Sequence, residues 1–420
     1  MSSEQIALLL VILAVVLGFC GLMGTLAARL GQPPVIGELL GGVLLGPTLL
    51  GSWSEVIVPV TVRPTFTALG NIGVALFMFA LAMEFGRGSE RNGIRRAGAI
   101  ATGAMALPFV LGLGTAWLLL GTGLSTPPDI TGFVLFMGVA MSITAFPVLA
   151  RILVDRGIID TGVGRLALAV AAVCDALAWC ALAIVVTIVG GTGSAPWRVA
   201  LIVPMVLALR FVFRPAMRMA MARAADSRAA GTALTVAMVS GALAHAAATE
   251  LMGLHFIFGA FLFGLAVPRR DVDSRREDVH AKVMEVSKFF LPVYFVTAGL
   301  AVDLGLDGKS LALLGIVVFA AVVGKVAGTY GAARACRIGA RPASALAVLM
   351  NTRGLTEVVV LTTGLQLGVI GGDLYSAMVV MALITTVATA PALRWLRGRG
   401  GTVDDLYSLD LPAAHRPVRA

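Results

Sequence analysis

Apolar runs of roughly twenty residues recur from one end of the chain to the other, cut apart by glycines, prolines and clusters of charge. An α-helix needs about 20 residues to cross the hydrocarbon layer, so this punctuation predicts an all-α, polytopic membrane protein. Thirteen spans are expected, at about 5 to 29, 33 to 51, 66 to 86, 96 to 121, 129 to 153, 162 to 190, 196 to 216, 230 to 252, 254 to 268, 285 to 304, 309 to 334, 343 to 368 and 374 to 396. Residues 52 to 65 (SWSEVIVPVTVRPT), with Pro59 and Pro64, read as an interfacial approach to the third span.

Loop charge supports the count. With thirteen spans, one side of the membrane collects 27 of the 32 basic residues. The other side holds Arg63, Arg198 and Lys309, and two, Lys325 and Arg353, fall inside spans. One missed or invented helix would swap every later loop and scramble this bias. Basic loops stay cytoplasmic, which puts the N-terminus outside and the C-terminus inside. A multi-pass protein of the cytoplasmic (inner) membrane is expected.

Composition agrees: 58% of residues are hydrophobic and 13% charged, with a mean hydropathy of +0.94, against about 25% charged in soluble domains. The net charge of +9 belongs to the loops and marks topology, so no nucleic-acid partner is expected. The first apolar run, 6 to 28, is too long for a signal-peptide core and lacks a basic region before it, so it reads as a retained span. Cys20, Cys174, Cys180 and Cys336 show no CxxC spacing and read as small core residues. No nucleophile, base and oxyanion-donor set is visible, so enzyme chemistry is not expected, nor any cofactor.

Against this background Asp175 stands out. It lies in LALAVAAVCDALAWCALAIVV, and no other ionisable group except thiols lies between Arg165 and the loop that follows. A carboxylate at bilayer depth costs at least about 2.5 to 3.5 kcal/mol on insertion scales, and one that persists there handles an ion or a proton. Two spans also carry breaks. The fifth holds SITAFP, from Ser142 to Pro147, and the twelfth holds NTRG, from Asn351 to Gly354. These spans are seven apart, an odd offset that inverts direction. Spans two to six (repeat one, about 33 to 190) and nine to thirteen (repeat two, about 254 to 396) are therefore expected to be inverted five-helix repeats with two crossed discontinuous helices. Residues 1 to 30 precede them and a cytoplasmic tail, 397 to 420, follows. Half-helix ends at such a crossing leave carbonyls and amides that hold an ion or balance a buried charge.

These residues resemble the monovalent cation/proton antiporters, in particular the Kef-type branch, over about 5 to 396. The stretches that carry the resemblance are GQPPVIGELLGGVLLGP (31 to 47), NIGVALFMFALAMEF (71 to 85), SITAFPVLARIL (142 to 153), AAVCDALAW (171 to 179) and GLHFIFGAFLFGLAVP (253 to 268). FLPVYFVTAGLAVDL (290 to 304), GKVAGTYGAAR (324 to 334) and MNTRGLTEVVVL (350 to 361) add to it. The resemblance implies a homodimer with a mobile core domain, exchanging sodium or potassium for protons. It implies Asp175 as the shared carboxylate, Thr144 as an oxygen ligand, and Lys325 as the membrane lysine that neutralises an acidic neighbour. The position before the carboxylate, normally Asp, Asn or Gln, is Cys174, which brings neither a second charge nor a strong amide hydrogen bond. Ion stoichiometry is thereby left open. No GxGxxG follows the last span, so nucleotide control through a domain placed there is not expected.

Mechanistically, a proton or a desolvated cation neutralises Asp175, but not both together, and this competition couples the two fluxes. An exporter of a small organic molecule on the same fold is the alternative, motivated by Cys174. Lys325 is expected beside Asp175, beside the broken-helix carbonyls, or without its proton. Arg353 must find an acid or carbonyls, and Glu357, one turn on, is the nearest acid in sequence. Glu38 and Glu84 read as packing or funnel residues. His245 and His255 are candidates for pH sensing or for structural roles.

Overall fold

The hydrophobic punctuation translates directly into helices. A computed structural model describes residues 3–46, 50–51, 54–55, 58–59, 61–84, 91–189, 201–223, 228–252, 256–268, 273–303 and 307–398, and among them there is no strand. The helices are α1 (Ser3–Arg29), α2 (Pro34–Leu44), α3 (Arg63–Glu84), α4 (Arg91–Gly121), α5 (Ile130–Ser142), α6 (Phe146–Asp155) and α7 (Gly162–Val189). Then come α8 (Ile202–Ala208), joined by a π-helical turn over Leu209–Phe213 to α9 (Arg214–Arg223), and α10 (Arg228–Leu251). The remainder are α11 (Phe256–Ala266), α12 (Asp273–Leu300), α13 (Gly308–Ala335), α14 (Ala340–Met350), α15 (Leu355–Gln366) and α16 (Gly372–Gly398).

Each expected span finds its helix, but only eight described helices are individually long and apolar enough to cross a bilayer. The shortfall has a local cause. The fifth span is divided into α5 and α6, the twelfth into α14 and α15, and the seventh into α8 (7 residues) and α9 (10 residues) around the π-helical turn, while α2 and α11 are 11 residues each. Ends are capped by the residues the sequence supplies: Asp129 accepts from the Thr131 amide at 3.0 Å to start α5, and Asp307 accepts from the Lys309 amide at 3.2 Å to start α13. Glu4 and Arg29 sit at opposite ends of α1, each where the helix dipole favours its charge.

The helices sort into two units. In one, α3 packs on α12, α2 on α12, α11 on α3, α1 on α2 and α10 on α11. In the other, α4 packs on α13, α4 on α5, α13 on α14, α4 on α7 and α13 on α16, with α15 against α16 and α6 against α7. The partners pair off in the same way in both halves of the chain. The units meet where α2 leans on α16. Close approach in the first unit depends on glycine: a Cβ on Gly37 would collide with the Met23 carbonyl of α1, and one on Gly259 with the His245 carbonyl of α10. These two glycines occupy matching places, and they show that α1 stands to α2 as α10 stands to α11.

Candidate functional site

The second unit is built around its two interrupted helices. The α5 helix stops at Ser142 because Ile143 turns extended (φ −67°, ψ 147°), and α6 begins at Phe146 with Pro147 as its second residue. Proline suits that position, since a first-turn amide has no intrahelical acceptor. On the other side α14 stops at Met350 and α15 starts at Leu355, after Asn351 to Gly354. The extended pieces touch: the Ala145 amide donates to the Thr352 carbonyl at 3.1 Å, and the Thr144 hydroxyl to the Met350 carbonyl at 3.3 Å. Gly354 is required here for space, because a Cβ would lie 2.7 Å from Cγ2 of Val148.

A helix that ends inside the membrane leaves carbonyls unpaired, and two cations take up those of α5. Arg353 donates to the carbonyls of Ala140 (3.3 Å) and Met141 (2.7 Å). Lys325 donates to that of Ser142 and, at 3.1 Å, to that of Ala104 on α4. Arg353 also pairs with Glu357 at 2.6 Å, and its backbone amide and carbonyl are bridged by the Thr386 hydroxyl of α16 at 2.8 and 2.7 Å. Lys325, Arg353 and Glu357 are all fully buried. The negative end of one half-helix is thus held by two positive charges, one of which is balanced by an acid.

Asp175 sits beside this arrangement on α7, at 0% exposure. Among the described residues, neither carboxylate oxygen has a hydrogen-bond partner. The Phe146 amide, at the start of α6, and Lys325 are close enough to interact with it electrostatically, though neither makes a strict hydrogen bond or ion pair to it. Thr144 is buried at the same break. Its hydroxyl hydrogen is committed to Met350, which leaves lone pairs on its oxygen. The chemistry available is that of a dehydrated, oxygen-only site for one small cation or one proton.

The remaining expected residues fall elsewhere. Cys174 is buried with its thiol 4.0 Å from the Ala101 carbonyl of α4. Glu38 lies in the first unit, its backbone carbonyl 3.8 Å from the Cys20 thiol. Glu84 is the last residue of α3. His245 bonds to the Gly241 carbonyl through Nδ1 at 2.7 Å and packs between Phe213 and Phe263, while His255 lies outside the described residues. Among the described residues, no three His, Cys, Asp or Glu side chains come together as a metal cluster. Sequence reasoning missed Thr386, for which the signal was its place in a threonine-rich turn (ITTVAT) of an otherwise apolar span. It expected carbonyls of the break as partners for Lys325 and Arg353 without singling out Ala140, Met141 and Ser142, and it missed Ala104 on α4, for which side chains give no signal.

Residues 9–396 match the family model described as sodium/hydrogen exchanger, transmembrane. The chain is 36% identical to the Na(+)/H(+) antiporter NhaS4 of Synechocystis, over 93% of this chain and 97% of that protein. It is 37% identical to cation/H(+) antiporter 20 of Arabidopsis thaliana, over 92% of this chain and 48% of that one. It is 31% identical to K(+)/H(+) antiporter 1 of Saccharomyces cerevisiae, over 93% and 46%. The chain therefore spans nearly all of the cyanobacterial relative and about half the length of the plant and yeast ones. The sodium proton antiporter MjNhaP1 of Methanocaldococcus jannaschii shares the fold, with a TM-score of 0.65 at 14% identity, over 94% of this chain and 99% of that one.

Proposed function

Since the chain belongs to the sodium/hydrogen exchanger transmembrane family, we propose that it is a secondary antiporter that exchanges a monovalent cation, sodium or potassium, for protons. The observation that carries the proposal is Asp175, a wholly buried carboxylate with both oxygens unpartnered among the described residues, beside two crossed helix breaks. A bare carboxylate is costly in a water-poor interior, so the site is stable when neutralised by a proton or by a cation. Asp175 and the Thr144 oxygen supply hard ligands suited to either ion. Occupied, the second unit carries Asp175 past the first; empty, it is held back by the exposed charge.

The roles of the neighbours follow from their contacts. Lys325, Arg353 and Glu357 fix the break so that Asp175 meets a constant field, and Cys174 fills space against α4 and adds no charge. The shared packing pattern supports repeats over about 33 to 190 and 254 to 396, with α1 and α10 as matching leading helices. Loop charge supports the N-terminus outside, the C-terminus inside and the cytoplasmic membrane as location. A homodimer is part of the same reading. The relatives are named as Na(+)/H(+), cation/H(+) and K(+)/H(+) antiporters, which favours this reading over the organic-molecule exporter.

Cation-induced proton movement in everted vesicles tests this, with a pH dye and separate additions of sodium, potassium, lithium and rubidium. Asp175→Asn should abolish the response while the protein remains in the membrane. Normal exchange by that variant would end the proposal.

A further inference from the structure

One helical turn beyond Asp175 on the same helix stands Trp179, 2% exposed. It crosses to the other unit. Its ring meets Phe258 of α11 edge-on, with centroids 6.0 Å apart at 87°, and Phe261 of the same helix at 6.5 Å. Together they close the seam between the units on the side where α7 ends and α11 begins.

The matching seam at the other end is built differently. Ile36 and Leu39 hold places on α2 equivalent to those of Phe258 and Phe261 on α11, three residues apart with a glycine after the first (Gly37, Gly259). They line a small cavity together with Phe295, Arg353, Leu383 and Thr386, with room for about one water. At one end a tryptophan of the second unit sits against two phenylalanines of the first, and at the other a small cavity remains.

A second observation concerns the indole N–H. Among the described residues Trp179 Nε1 is buried and has no acceptor, and buried donors are normally paired. A donor left unpaired in the closed arrangement gains a partner as soon as water enters, so its packing is suited to a contact that opens. We propose that Trp179, held between Phe258 and Phe261, is the gate residue that seals Asp175 from the membrane face at which α7 ends. This rests on Asp175 being the exchanging carboxylate, and it assigns Trp179 a positioning role with no contact to the ion.

The test uses the full chain with Cys20→Ala, Cys174→Ala, Cys180→Ala and Cys336→Ala, and Asp175→Cys as a thiol reporter at the site. A membrane-impermeant methanethiosulfonate reagent is applied to intact cells and to everted membranes, with Val189→Cys in a parallel chain marking which preparation exposes the end of α7. Adding Trp179→Ala, or separately Phe258→Ala with Phe261→Ala, should raise the labelling rate about tenfold from that face alone, a decade's shift in the closed population. Trp179→Phe, which keeps a ring in the seam, should label like the parent. A rise from both faces, or none in either variant, overturns the gate. Labelling does not depend on exchange, so failure of Asp175 as the exchanging group, seen as normal transport by Asp175→Asn, is read separately.

Discussion

Lys325 gives its ammonium to the Ser142 carbonyl and not to Asp175. The lysine on α13 completes the end of a helix 183 residues away in sequence. Asp175 is left as the acid without a strict partner, and the lysine serves the scaffold around it. Lys325→Met should therefore lower thermal stability, because the carbonyls of Ser142 and Ala104 lose their donor. Hydrogen bonds to a charged group contribute about 1.5 to 3 kcal/mol each, so the loss should exceed about 2 kcal/mol. Size-exclusion thermostability in detergent measures it, and a midpoint equal to that of the parent would remove the capping role.

The Arg353–Glu357 pair is completely enclosed, which makes its single substitutions harsher than its joint replacement. Removing one partner of a buried pair costs about 3 to 5 kcal/mol, since it strands the other charge. Glu357→Gln alone should destabilise more than Arg353→Met does when Glu357→Met accompanies it, although the double variant also gives up the bonds to Ala140 and Met141. A double-mutant cycle on unfolding midpoints checks this. Simple additivity would mean that the two charges do not act as a unit.

Gly354 is the space on which the crossing turns. Gly354→Ala places a methyl 2.7 Å from Val148 Cγ2, and overpacking of this kind costs about 1 to 3 kcal/mol. Exchange should slow, and Val148→Ala on the same chain should restore a large part of it. Initial exchange rates in proteoliposomes decide; a double variant no better than Gly354→Ala would show that the contact with Val148 is not the obstacle.

Competition at one carboxylate has a definite signature in pH. Where the site is mostly protonated, each unit of pH lowered should raise the apparent cation KM about tenfold, while the maximal rate at saturating cation stays constant, because the ligands exclude each other at one group. Raising the pH reverses this until protonation no longer limits binding. A KM independent of pH, or a maximal rate that falls with acidity at saturating cation, contradicts a shared site.

Much of this was legible in the sequence because the functional residues break the rule of their surroundings. Asp175 is an ionisable group in an apolar run, and Arg353 and Glu357 are an i, i+4 pair where lipid-facing helices carry no charge. The two breaks announce themselves through polar and Pro or Gly residues in the middle of spans. What stayed hidden has the opposite character. Lys325 was expected at the carbonyls of the break, but every residue has a backbone oxygen, so the choice of Ser142 and Ala104 has no sequence signature. Trp179, Phe258 and Phe261 look like any apolar residues in a membrane helix. The division into two units was equally silent, since lipid and neighbouring helices are both apolar and hydropathy does not separate a face toward one from a face toward the other.

The capping of α5 by later helices has a consequence for how the chain is made. When the ribosome has produced only the first half, α5 already ends within the lipid with its final carbonyls bare, and the side chains that complete it, from Lys325 and Arg353, have yet to be synthesised. Early segments must therefore wait beside the translocon, or in some other wet or sheltered place, until α13 and the second break arrive. Completion of the first half thus depends on side chains that only the second half supplies.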